Sequence, residues 1–300
     1  MTVDVVCTGP VFLDLTFEGL DALPRLGEER YARNLHTTPG GAAITAIGLA
    51  RLGLRTAVAA PLGDDLAGEL VRRQLEAEGV VCAGATAGRT PVAAVLPVGG
   101  ERAFVTFEPP AAIEPSTVER LRPRAVVAGL GALPLAPQGV SVYAGAGHRD
   151  AERHASSLPA GISDARALLV NRAEALLLTG ERDADDAALA LGGTVATAVV
   201  TLGAEGAVAA EDGELVTVAA PQADPRDTTG AGDLFMAAYV WGDLAGLPLP
   251  ERLQWAAVYA ALSVRTATGA ASAATRDELE QAMAQLETAI VHESTAKEPR

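Results

Sequence analysis

Short apolar runs that stop at turn residues alternate with stretches of helical spacing along most of this chain. Residues 3–8 end at Gly9-Pro10 and read as a buried strand and turn. Behind Gly40-Gly41, the residues Ile44, Ile47, Leu49 and Leu52 recur at helical spacing until Gly53 stops them. Residues 55–60 form the next strand, and 65–78 the next helix, with Leu66, Leu70 and Leu75 on one side. Strand-like runs return at 125–128, 140–143, 167–170, 198–201, 208–210 and 215–218. Helical spacing returns at 231–245, 250–266 and 276–290, with capping boxes expected at Ser116–Glu119 and Thr275–Glu278. Parallel strands need long crossovers, and helices that supply them end up covering the sheet. The expected fold is therefore α/β, with a mostly parallel central sheet between helical layers.

The rhythm breaks twice. Residues 11–38 carry short strand-like pieces punctuated by Pro24 and Gly27, and two β-rich stretches within 90–107 flank Gly99-Gly100 as a hairpin would. These two segments are expected to join in a small β lid on a single domain spanning residues 1–300.

Charge limits what such a protein binds. A net charge of −15 works against nucleic acid or an anionic membrane as partner. Among 23 basic residues the only lysine is Lys297, so a phosphate loop built on Gly-Lys-Ser/Thr is excluded. Any phosphate must be held by backbone amides, a metal or arginine. Cys7 and Cys82 lack metal or redox spacing and read as reduced thiols. No leader precedes residue 3 and no apolar run spans a bilayer, so the expected location is cytoplasmic.

The segment Asp227-Thr-Thr-Gly230-Ala231-Gly232-Asp233 carries the chemistry. Small residues admit a ligand close to the backbone, and the following helix turns its unpaired amides and positive end into the loop. Asp233 in the first turn is either a favourable charge at a helix end or a general base beside the transferred phosphate.

Followed by Leu-Phe, that segment resembles the C-terminal signature of the ribokinase-like (PfkB) family of carbohydrate kinases. Gly40-Gly41-Ala-Ala-Ile-Thr45-Ala-Ile-Gly-Leu-Ala-Arg-Leu52-Gly53 resembles its N-terminal signature. The resemblance implies the family's three-layer sandwich with a β lid, and transfer of a phosphoryl group from ATP to a hydroxyl. It makes Asp233 the catalytic base and Gly230, Ala231 and Gly232 the anion hole. Asn171 and Glu174 match the Asn-x-x-Glu motif that positions Mg2+ through water, and Thr201, Gly203 and Gly206 match the nucleotide-phosphate loop. Asp14, Gly40, Gly41 and Thr45 match the acceptor site. Asp227 matches part of a monovalent-cation site, with potassium dependence left open. The lid also implies a homodimer contact.

The chain departs from the pattern at Thr45, where the family usually has Asn, and at Phe12, Ala42 and Gly131, where ribokinase proper has polar residues. The acceptor is therefore a hydroxylated small molecule, but free ribose is disfavoured. Val258 makes the expected purine contacts apolar. Arg102 reads as a solvated lid charge, with contact to an acidic acceptor as the alternative. A nucleoside kinase and a non-catalytic metabolite sensor of the same fold stay open. Gly145-Ala-Gly147-His-Arg-Asp150 raises a nicotinamide-dependent dehydrogenase, but it lacks the third glycine and the acidic residue beyond.

Overall fold

The alternation along the chain builds two sheets in a computed structural model that describes residues 2–296, apart from 87, 100, 111, 156 and 266–268. Gly100 of the expected hairpin turn and Lys297 lie outside the described residues. The strands β1 (Val5–Thr8), β2 (Val11–Glu18) and β3 (Asn34–Gly41) come first, and α1 (Ala42–Arg51) then leads to β4 (Thr56–Ala59). After α2 (Leu66–Ala77) and the short β5 (Val81–Cys82), β6 (Val92–Val98) and β7 (Glu101–Phe107) make the hairpin. The middle of the chain runs α3 (Pro115–Leu121), β8 (Ala125–Gly129), β9 (Ser141–Gly145), α4 (His148–His154) and β10 (Ala167–Asn171). Next come α5 (Arg172–Thr179), α6 (Ala184–Gly192) and β11 (Thr197–Thr201). The hairpin β12 (Ala207–Glu211) and β13 (Glu214–Val218) precedes α7 (Ala231–Leu244), α8 (Leu249–Ser263) and α9 (Arg276–Ala296).

The large sheet has the order β13-β12-β11-β10-β9-β8-β1-β4-β5. It is parallel from β5 to β11 and antiparallel only where β12 and β13 extend its edge. Side chains alternate across it, so successive residues feed opposite cores. Val5, Cys7 and Val199 join α1, α7 and α8 on one face, while Val6, Ala198 and Val200 join α5 and α6 on the other. That is the three-layer sandwich, with α7 buried almost all round from Leu234 to Gly242.

The second sheet has the order β3-β2-β6-β7, which brings the two rhythm-breaking segments together as expected. Register places Asp14 opposite Thr38 on one side and Ala93 on the other, and Pro97 opposite Arg102. Residues two apart along a strand share a face, so Phe12, Asp14, Thr16, Phe104 and Arg102 all lie on the same face of the lid.

The Thr275–Glu278 box forms as expected, whereas Ser116–Glu119 does not. Pro115 takes the first position of α3, where its fixed φ and missing N–H cost nothing, so Glu114 becomes the N-cap and Ser116 falls inside the helix. Helix α8 stops at Ser263, three residues short of the expected 266. Among the described residues, no helix is long and apolar enough to cross a membrane.

Candidate active site

Strand β10 ends at Asn171 and β11 at Thr201, paired in register, so their carboxyl ends open side by side. In open α/β sheets this edge is where ligands bind. Helix α7 starts above it. Its N-cap, Gly230, has φ +79, a left-handed conformation that a side chain would strain, and an added Cβ would press on Ile44 and Gly269 at 3.0–3.1 Å. Asp227 Oδ1 accepts from the Thr229 backbone N–H at 2.8 Å and from its hydroxyl at 2.6 Å, which shapes the turn before the helix. Ala231, Gly232 and Asp233 form the first turn of α7, where amides lack partners within the helix. Ala231 N–H makes only a long 3.3 Å bond, to Thr228 O, and Gly232 is exposed with nothing within 4 Å of where its Cβ would be. These amides at the start of α7 are free to receive an anion.

Next to them is a cavity of about 220 Å3 lined by Gly203, Gly206, Pro221, Phe235, Ala257 and Val264, among others. No lysine or arginine lines it among the described residues. At its polar end, the loop from Thr201 to Gly206 is closed by a 2.8 Å bond from Leu202 N–H to Gly206 O. An apolar slot that ends in glycine backbone and helix amides fits a flat base with a phosphate chain. Val258, the expected purine contact, is buried in the core at 3% exposure and does not line the slot.

Three carboxyl groups converge on the same place. Asp233 is half-buried, still partly reached by water but enclosed by protein on most sides. Burial, then repulsion from Asp14 and Glu174, pushes its pKa up to about 7, against a smaller opposing effect of Thr45. The Thr45 hydroxyl donates to the Asp233 carbonyl at 3.2 Å, so this acceptor-site candidate is engaged with the helix that carries the base candidate. Asp14 is buried on β2, and burial raises it to about 6. Its carboxylate fills the space over Gly40, where any Cβ would collide with it. Gly41, at φ +62, caps α1, and a side chain there would strike the Pro10 carbonyl.

Asn171 and Glu174 form a complete capping box at the start of α5. The Asn171 side chain accepts from Glu174 N–H and the Glu174 carboxylate from Asn171 N–H, both at 2.9 Å. Asn171 is thus the cap of α5, and Glu174 completes it instead of standing in solvent as a free charge. Glu174 is nevertheless buried, and burial raises its pKa in spite of the Asn171 bonds. A carboxylate kept there beside Asp233 favours a cation. No group of three or more His, Cys, Asp or Glu able to hold a metal exists among the described residues. Mg2+ usually keeps several waters and leans on few carboxylates, so Glu174 is a residue that could anchor it through water.

Arg102 is not the solvated charge its sequence context suggested. Its Nη1 donates to Thr229 Oγ1 at 2.9 Å and lies 4.0 Å from Asp227 Oδ1, with the side chain 29% exposed. The contact spans 127 residues, and no local signal announces it. The one clue was strand parity in β7, which becomes usable only once the register with β2 is known.

The model of the pfkB family of carbohydrate kinases matches residues 4–128 and 145–276. Arabidopsis thaliana ribokinase, solved with ribose and ATP, aligns with a TM-score of 0.78 at 23% identity, covering 94% of this chain and 99% of its own. A Sinorhizobium meliloti adenosine kinase gives 0.76 at 23% identity over 91% and 98%. An E. coli protein solved with ATP and Mg2+ gives 0.80 at 18% identity over 95% and 100%. With the family's model matched across most of its length and the fold shared end to end, this chain belongs to the PfkB family of carbohydrate kinases.

Proposed function

We propose that the protein transfers the γ-phosphoryl group of ATP to a hydroxyl of a sugar or nucleoside, with Asp233 as general base. The observation that carries this reading is the placement of Asp233. Its carboxyl lies in the first turn of α7, beside the anion-binding amides, with a pKa near 7. A base near neutrality can accept the hydroxyl proton and still be ionised at working pH. The amides of Gly230, Ala231 and Gly232 supply preorganised dipoles for charge on the group in transit. Glu174 would hold the Mg2+ that comes with the nucleotide, and the ion would supply neutralisation of phosphate charge. Thr201, Gly203 and Gly206 give backbone to the phosphate chain. The potassium reading of Asp227 rests on the family resemblance alone.

Asp14 would grip acceptor hydroxyls, since charge-assisted bonds of that kind are strong. Phe12 and Phe104 share its face of the lid, and they favour an acceptor with an apolar side, such as a nucleoside or deoxy sugar, over free ribose. A second copy would cover the exposed Val105 and Phe107 on the lid's outer strand, the surface the proposed dimer would use.

Asp233→Asn is the test. It should retain ATP binding and slow phosphoryl transfer by about 10²–10⁴-fold, the usual worth of a positioned base. Equal single-turnover rates in mutant and wild type would reduce Asp233 to a helix-end charge. The acceptor is tested by kcat/KM for ribose beside adenosine and several hexoses, and a wide lead for ribose would refute the apolar-side argument.

A further inference from the structure

The nucleotide cavity has no cationic wall among the described residues, and the chain's one lysine lies outside them. A polyphosphate in transit gathers negative charge, and backbone amides answer only part of it. The lid brings a guanidinium onto the anion turn. Arg102 reaches from β7 to Thr229, one residue before Gly230.

The quality of that contact is informative. Arg166 grips Asp243 with two bonds of 2.8–3.0 Å, and Arg252 reaches the same carboxylate at 2.5 Å. Arg102 has a neutral hydroxyl at 2.9 Å and a carboxylate no nearer than 4.0 Å. A partly desolvated guanidinium normally secures a close anion. Of its five N–H donors, arranged to match phosphate oxygens in pairs, Thr229 occupies one. Arg102 also shares its lid face with Asp14, so it turns toward the acceptor cleft. The Phe104 ring, 6.0 Å from the guanidinium carbon, flanks it.

We propose that Arg102 is a lid-borne phosphate clamp, a further catalytic residue that touches the phosphoryl group during transfer. The inference rests on the kinase reading above. In that transfer the acceptor oxygen bonds to the γ-phosphorus and the bond from phosphorus to the bridging oxygen breaks. ADP leaves with the electron pair, and the acceptor's proton passes to Asp233. Arg102 neither gains nor loses a proton. Its guanidinium turns from Thr229 onto the equatorial phosphate oxygens, so charge stabilisation arrives only when the lid is closed.

The lid does not depend on this contact for its place. Its four strands are hydrogen-bonded together, and α2 adds a bond from Gln74 to the Thr37 carbonyl. Arg102 variants should therefore fold. The experiment uses the full-length wild type, Arg102→Met and Arg102→Ala, with MgADP and aluminium fluoride, a planar stand-in for the group in transit. Arg102→Met should bind MgADP within about threefold of wild type, yet lose the tightening produced by aluminium fluoride and about 10² in kcat, the scale of one lost transition-state donor. Millimolar guanidinium should restore part of the activity of Arg102→Ala, a rescue that a structural role would not show.

Unchanged kcat in Arg102→Met overturns the proposal. So does a loss confined to the acceptor KM with fluoride tightening intact, which would assign Arg102 to the acceptor. Loss of MgADP affinity together with a lowered Tm would make it a structural latch and overturn the proposal as well. A wild type that neither binds MgADP nor transfers phosphate would defeat the kinase reading itself, and the clamp with it.

Discussion

Helix α7 carries an aspartate near each end, and the two live under opposite conditions. Asp243, near the carboxyl end, accepts hydrogen bonds from Tyr143, from Arg166 through two nitrogens, and from Arg252. Burial alone would raise its pKa, but the bonds from Arg166 and Tyr143 and the charge of Arg252 overcome that and hold it below the ordinary carboxylate value. Asp233, near the amino end, is pushed up to about 7, by burial first and then by repulsion from two other carboxylates. The same residue on the same helix is thus satisfied where it holds the layers together and deprived where chemistry is proposed. An acid ionised against burial and like charge costs stability, and the fold tolerates that cost at a site where a base near neutrality is useful.

The largest expected effect breaks the satisfied end. Asp243→Ala leaves Arg166, Arg252 and the Tyr143 hydroxyl without their shared acceptor. Removing one partner of such a cluster should cost about 3–5 kcal/mol in denaturant unfolding. The fraction that folds should keep near-normal kcat. A loss under about 1 kcal/mol would mean that water replaces Asp243 easily, and the contrast with Asp233 would weaken.

At the deprived end the sign reverses and depends on pH. A folded pKa of about 7 against 3.8 penalises the fold wherever Asp233 must ionise. Stability from this group is fully present below the unfolded pKa and is lost as pH rises through about 7. Asp233→Asn removes the penalty, so the inactive variant should be the more stable one at pH 8, by about 1–3 kcal/mol after allowing for water in the cleft. At pH 4 the two should unfold alike. A variant that is less stable at pH 8 would show that the carboxylate is well satisfied after all.

Glu174 sharpens the comparison because it combines both conditions, serving as a cap and repelling Asp233. Gln can complete the same capping box, so Glu174→Gln should fold normally. It should raise the Mg2+ requirement by about 10–100-fold, the usual worth of an outer ligand. The acid limb of activity should also move to lower pH, since one charge that raises Asp233 is gone. An unchanged Mg2+ titration would leave Glu174 as a cap only.

What the sequence revealed and what it hid follow the distance over which each feature is made. The Asp227–Asp233 turn and the Asn171–Glu174 pair are local, so spacing and residue type suffice to find them. Strand–helix alternation likewise fixes the layers, because periodicity reports which side of each element is buried. Arg102 and Asp243 were opaque for the opposite reason. One contact joins residues 127 apart, and the other collects side chains from β9, α8 and the residue before β10. Ser116 misled because a proline beside it competed for the helix start and won.

The most direct test is to titrate the two α7 carboxyls themselves, by carbon NMR on protein free of nucleotide and metal. The account predicts that Asp233 titrates near 7 while Asp243 stays ionised below the ordinary carboxylate value of 3.8. Asp233 titrating near 4, like an exposed aspartate, would contradict it.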